Sequence, residues 1–131
     1  MSTLKLPLPD DFHVHLRQGD ALADYARDIS LQFGRILVMP NTVPALSTTE
    51  SILNYKNAIV SAAPNLEPLM TFKIHSGLTS SDLEAFKAMG VVAGKYYPAG
   101  VTTNSEDGVS DFESIFPIVS MMEKMGFVFS V

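Results

Sequence analysis

A chain of 131 residues in which 47% of side chains are hydrophobic can bury one core and falls within the size of a single domain spanning residues 1–131, which sets disorder aside. Its net charge of -5 comes without long runs of one sign, so there is no basic surface for nucleic acid and no membrane-binding patch. With no cysteine, disulfides and thiolate metal sites are excluded, and any metal must be held by nitrogen and oxygen.

The opening MSTLKLPLPDD lacks the apolar core and small-residue cleavage site of a secretory leader, and no run approaches the ~20 apolar residues of a membrane helix. A soluble cytoplasmic protein is the expectation. The first strand is read in DDFHVHL. On a strand, residues two apart share a face, so His13 and His15 should project together while Phe12, Val14 and Leu16 face the other way. Leu22, Tyr25, Ala26, Ile29 and Phe33 then fall at helical spacing, with Gly34 as a stop.

RILVMPN is a continuous apolar run, the mark of a strand buried on both faces. After it, Ser47 and Glu50 are placed for a capping box ahead of the Ile52, Tyr55, Ile59, Ala62 stripe, which Pro64 closes. EPLMTFKI makes the third strand, Ser81 to Glu84 a second capping box, and Gly90 the stop of a short helix. VVAGKYYPA is the fourth strand. A long loop runs from Ala99 to Ser110, and a third capping box from Ser110 to Glu113 opens the last helical stripe, ending at Gly126. Pro117 inside that stripe should kink or split the helix. FVFSV, ending at Val131, is the start of a fifth strand. Unbroken alternation of this kind builds parallel βα units, either a doubly wound sheet or a (β/α)8 barrel. A full barrel takes roughly 250 residues, so the chain covers a little over half of one.

Loops at the carboxyl ends of parallel strands are where such enzymes keep their chemistry, and the candidates lie there. His13 and His15 suit two imidazoles on one metal ion, or else are a structural pair. Arg17 has the planar fork that grips a carboxylate at two points. Asn41 is either a turn former or a group that holds a substrate carboxylate or amide. Lys95 interrupts an apolar strand. It either snorkels out or pairs with an acid, or burial favours its neutral amine, which can add carbon dioxide to become a carbamate able to bridge two metals. His75 is read as a loop or strand-end residue. Asp10 and Asp11 either orient the histidines or occupy a solvated strand start.

Taken together, PDDFHVHLRQGD, VMPNTVP and KYYPAGVTTNS resemble dihydroorotase, an amidohydrolase-superfamily family, and in particular its shorter bacterial type. The resemblance implies the first half of a (β/α)8 TIM barrel ending in the fifth strand. It implies two zinc ions per completed site, with His13 and His15 as ligands and carbamylated Lys95 as the bridge. Arg17 and Asn41 would hold the substrate carboxylate, and Thr102 and Thr103 would belong to a loop over the substrate. The implied reaction is reversible cyclisation of N-carbamoyl-L-aspartate to L-dihydroorotate, with metal-activated water acting in the hydrolytic direction. The family's later histidines and its general acid and base, an aspartate, have no counterpart within these residues. The general base is expected beyond Val131, so no catalytic residue is assigned here. The chain alone is expected to be inactive, and the complete enzyme is expected to be a homodimer. Two alternatives remain: another cyclic-amide hydrolase such as a hydantoinase or allantoinase, or a non-catalytic dihydroorotase-like subunit.

Overall fold

Every apolar run becomes a strand and every striped segment a helix in the computed structural model, which describes residues 3–101, 103–106 and 108–131. In chain order these are β1 (Asp10–Val14), α1 (Ala21–Ser30), β2 (Arg35–Val38), α2 (Thr49–Ala62), β3 (Glu67–Lys73), α3 (Ser80–Ala88), β4 (Ala93–Lys95), a 3-10 turn (Phe112–Ile115), α4 (Phe116–Met125) and β5 (Val128–Ser130). All neighbouring strands are parallel, and their spatial order is β1-β2-β3-β4-β5. A doubly wound sheet must reverse its strand order at a switch point. No reversal occurs here. Right-handed crossovers that always step the same way put every helix on one side, so the sheet is the curled half of a barrel.

The helix-facing side carries the core. Ile36 and Val38 from β2 and Phe72 from β3 are wholly buried, with Met70 at 2% exposure, and Ile52, Ile59, Leu83 and Phe86 meet them from the helices. Each such side chain contributes roughly 1.5–3 kcal/mol through burial. Phe72 sits between Phe86, at a centroid distance of 5.0 Å, and the edge-on ring of Phe127 at 5.5 Å. β4 has to be glycine where it crosses this aromatic layer. A Cβ on Gly94 would lie 2.7 Å from both Phe72 Cζ and Met122 Cε.

Three local expectations need correction. The capping boxes form one or two residues away from where the sequence suggested for α2 and α3: Thr48 pairs with Ser51, and Thr79 with Asp82. Threonine takes the extended backbone of an N-cap readily, and each sits three residues before a side chain that returns the hydrogen bond. Before the 3-10 turn no full box forms; Asp111 alone caps it, accepting from the Glu113 N–H. Second, Phe12 does not join Val14 and Leu16. The pairing of β1 with β2 slips by one residue between Asp11 and Val14, and a bulge of this kind re-aims side chains. Phe12 is consequently 56% exposed and lines an apolar hollow with Leu37, Leu69, Val92, Ala93 and Val128, on the side of the sheet away from the helices. Third, β4 is only three residues long, with Tyr96 and Tyr97 beyond it. β5 runs Val128–Ser130, and the Ser130 carbonyl accepts from the Tyr96 N–H.

Pro117 does split its stripe. The 3-10 turn ends just before it, and the proline occupies the first turn of α4, where its missing N–H costs nothing. Gly126 closes α4 in the left-handed conformation at φ 70°. At the opposite end of the strands Arg35 makes a two-point contact with Asp10, at 3.0 and 2.5 Å, tying β1 to β2 where the two residues are in register. That contact lowers the Asp10 carboxyl below the ordinary carboxylate range. Among the described residues no helix is long and apolar enough to cross a membrane.

Candidate metal and substrate site

Parallel strands point their carboxyl ends the same way, so residues finishing different strands meet at one rim. His13 lies near the end of β1 and His15 just past it, Asn41 follows β2, and Lys73 and Lys95 are the last residues of β3 and β4, paired in register. The two imidazoles do project together, with ring centroids 5.2 Å apart and planes inclined at 42°. Both rings remain exposed while Val14 and Leu16 between and beyond them are buried, so one short segment anchors itself in the core and presents its histidines outward.

Asn41 organises this rim. It is 6% exposed, and its side-chain nitrogen donates to the Thr103 carbonyl at 3.0 Å while its side-chain oxygen lies 2.8 Å from His15 Nδ1. The first contact needs an amide nitrogen, which fixes the orientation of the group, so the oxygen must accept from a protonated Nδ1. His15 Nε2 is then left with a bare lone pair, the form in which imidazole binds metal. Burial lowers the His15 pKa from its ordinary value; the Asn41 bond works against this, and the positive charges of His13, Arg17 and Lys95 add to the lowering. The shift favours the neutral ring, and the Asn41 contact aims it.

Lys95 is 5% exposed, and among the described residues no carboxylate pairs with it. Snorkelling and ion pairing, the two ordinary explanations for a lysine in an apolar strand, are therefore both absent there. Burial lowers the ammonium pKa and favours the free amine. Its Nζ lies 5.7 Å from the centroid of the Tyr97 ring, a contact that eases whatever charge remains.

Arg17 is exposed and adopts φ 60°, a left-handed conformation that costs a non-glycine residue of order 1–2 kcal/mol. The Tyr55 hydroxyl, reaching from α2, donates to the Arg17 carbonyl and holds it there. Arg17, His15, Asn41 and Asn104 line one small hollow. Thr103 enters through its main chain, as the acceptor for Asn41, while Thr102 lies outside the described residues. Asp11 accepts from the His13 backbone N–H at 3.0 Å and Asp10 is engaged by Arg35, so the ring of His15 is oriented by Asn41 rather than by these acids. His75 lies past the end of β3, its Nδ1 accepting from the Gly77 N–H, as expected of a strand-end residue.

Two participants escaped the sequence reading. Lys73 is a lysine at the end of an apolar run, the same signal that singled out Lys95, and is 2% exposed. Asn104 carries no such signal, since its partner Asn41 is 63 residues away.

The donor chemistry can be tested against a metal on these observations. Two adjacent imidazoles, one with its Nε2 freed by Asn41, and a buried amine fit nitrogen ligation. Among the described residues no group of three histidine, cysteine or carboxylate side chains gathers to hold a metal ion.

Strands laid side by side in chain order, with the histidines, buried lysines and amides gathered at one rim, make the chain the first half of a (β/α)8 barrel. No protein-family model matches the sequence. Individual relatives do: over its full length the chain is 47% identical to the dihydroorotase of Vibrio cholerae and 44% identical to that of Shewanella loihica, spanning 39% of the length of each. The solved dihydroorotase of Campylobacter jejuni superimposes with a TM-score of 0.85 at 34% identity, covering 92% of this chain and 36% of the other. That of Saccharomyces cerevisiae, in complex with 5-fluoroorotic acid, gives 0.87 at 33%, covering 93% and 35%. An L-hydantoinase from Arthrobacter aurescens shares the fold, with a TM-score of 0.76 at 21% identity over 94% of this chain and 28% of the other. By sequence and by fold, then, the chain corresponds to the N-terminal portion of a dihydroorotase.

Proposed function

We propose that the chain contributes the first half of a zinc-dependent dihydroorotase site, with His13 and His15 as zinc ligands and Lys95 as the bridge between two zinc ions. The single observation carrying this reading is the Asn41 bond to His15 Nδ1, which leaves Nε2 unprotonated beside His13. Lys95 is suited to its part because its free amine adds carbon dioxide, losing one proton and forming an N–C bond, to give a carbamate with carboxylate oxygens. Zinc, when bound, polarises the amide carbonyl and lowers the pKa of water.

The remaining work falls to the chain's own groups. Arg17 presents an exposed guanidinium with no acid engaging it among the described residues, suited to a two-point grip on the carboxylate of N-carbamoyl-L-aspartate or L-dihydroorotate. Asn41 keeps a second N–H and a second lone pair beyond the bonds it makes, and the Thr103 segment lies against it. The general acid and base is not assigned to any residue up to Val131. The proposed setting is the cytoplasm, and the complete enzyme is proposed to be a homodimer.

Two measurements test the reading. Residues 1–131 exchanged for the matching segment of the Vibrio cholerae dihydroorotase should give a chimaera that interconverts dihydroorotate and carbamoyl-aspartate, while the 131-residue chain alone should not. A folded chimaera that holds zinc and leaves dihydroorotate untouched defeats the assignment. In the chain itself, replacing Asn41 by Ala should weaken zinc binding about 10–100-fold, the range for losing a group that orients a ligand histidine.

A further inference from the structure

Lys73 has no part in the site as proposed, yet it is more deeply buried than Lys95 and stands beside it in register. Its Nζ lies 5.9 Å from the Tyr97 ring centroid, and one of its partners is the main-chain carbonyl of Asn104, to which it donates at 3.2 Å. Asn104 adopts φ 56°, and with Arg17 it is one of the two non-glycine residues so placed among those described. A residue in that conformation persists only where its surroundings hold it. Asn104 is held from two directions. Lys73 takes its carbonyl, and its side-chain amide donates to the Asn41 carbonyl at 3.0 Å. Asn41 returns the contact by donating to the Thr103 carbonyl at 3.0 Å, and its oxygen is the one that meets His15.

The contacts form one connected path from Lys73 through Asn104 and Asn41 to His15. We propose that Lys73 is a positioning residue: it pins the Thr103–Asn104 turn onto the end of β2, and through Asn41 that turn sets the ring orientation of His15. The purpose assigned to this device rests on the zinc-site reading above; the device itself does not. Charge suits the task, because an ammonium binds a carbonyl more strongly than a neutral donor does, and a buried one has little water to exchange for it. In the segment around the turn Gly100 and Gly108 both donate to the Ser105 carbonyl at 2.8 Å, and Val109 donates to the Tyr97 carbonyl at 2.9 Å. Those N–H groups report on whether the turn is seated.

Lys73→Met keeps the length and the apolar stem and removes the charge. In the metal-free chain, amide exchange at Gly100, Gly108 and Val109 should quicken about tenfold or more, as for loss of a charged hydrogen bond, while β2 and β3 amides stay protected. The nitrogen resonances of His15 should move from a single Nδ1–H tautomer to a mixture, and Lys73→Arg should restore much of both signals. A folded Lys73→Met chain with unchanged loop exchange and unchanged His15 tautomer overturns the proposal. Should that variant fail to fold, Asn104→Gly tests the same path. Glycine accepts φ 56° and keeps the carbonyl for Lys73, but it cuts the tie to Asn41, so the His15 signature should change while the core is retained; an unaltered signature there also overturns the proposal. Neither measurement involves zinc or substrate, so failure here is distinct from failure of the assigned activity.

Discussion

One sheet presents two different chemistries on its two sides. Toward the helices, Ile36, Val38, Met70 and Phe72 interlock with α2, α3 and α4 and are almost without exposure. On the other side Phe12, Leu37, Leu69 and Val128 line an open apolar hollow, and above it the rim gathers histidines, lysines and amides. The same strands supply both by alternation. The contrast teaches that stability and chemistry are assigned here by the parity of a residue along its strand, so substitutions one residue apart should have unlike consequences.

The sharpest way to break that comparison is to truncate phenylalanines on opposite sides. Phe72→Ala should cost about 3–5 kcal/mol by emptying the layer between Phe86 and Phe127, enough to abolish cooperative unfolding in urea. Next in size is Gly94→Ala, whose methyl would collide with the Phe72 ring; about 1–3 kcal/mol should be lost, visible as a lowered thermal midpoint.

Tyr55 joins the two regions, since it is rooted in α2 and reaches the rim at Arg17. Tyr55→Phe should cost about 1 kcal/mol near neutral pH through the lost hydrogen bond. Its pH dependence follows from burial, which pushes the Tyr55 phenol up to about 12. Below about pH 10 the phenol is neutral folded and unfolded, and its contribution is complete. Above that the unfolded chain loses its proton first, and the contribution disappears as pH rises through about 12. Tyr97 is likewise pushed up to about 12 by burial, so the variant should retain an alkaline loss of stability, but a shallower one than the parent chain in denaturation series run from about pH 9 to about 12. The smallest effect belongs to Phe12→Ala. Being largely exposed on the open side, it should change the stability of this chain by no more than ~0.5 kcal/mol, and an effect near that of Phe72→Ala would erase the distinction between the faces.

How much of this was readable beforehand depends on how far apart the interacting residues lie. Alternation, hydrophobic stripes and the split at Pro117 are local properties, and they gave the order of elements and the parallel class. The HxH spacing placed both imidazoles on one face because the period of a strand is itself local. Phe12 was misplaced since the slip in β1 arises from pairing with β2, and nothing in DDFHV announces it. Cap positions moved by a residue or two for a similar reason: several hydroxyl and carboxyl side chains compete for each helix start, and the approach of the preceding strand decides among them. The amide lattice of Asn41 and Asn104 could not be read at all, being made by two loops that only the sheet brings together. Lys73 is a different kind of miss. Its sequence signal equals that of Lys95, and it was passed over because no motif drew attention to it.

The strand order has a further consequence, for the way the molecule comes into being. From β2 onward each strand pairs with the strand synthesised just before it. No segment made early must wait, within this sheet, for a distant segment made late. Loop closure stays short at every step, so the order in which the ribosome delivers the chain can also be its order of assembly, one strand and one helix at a time.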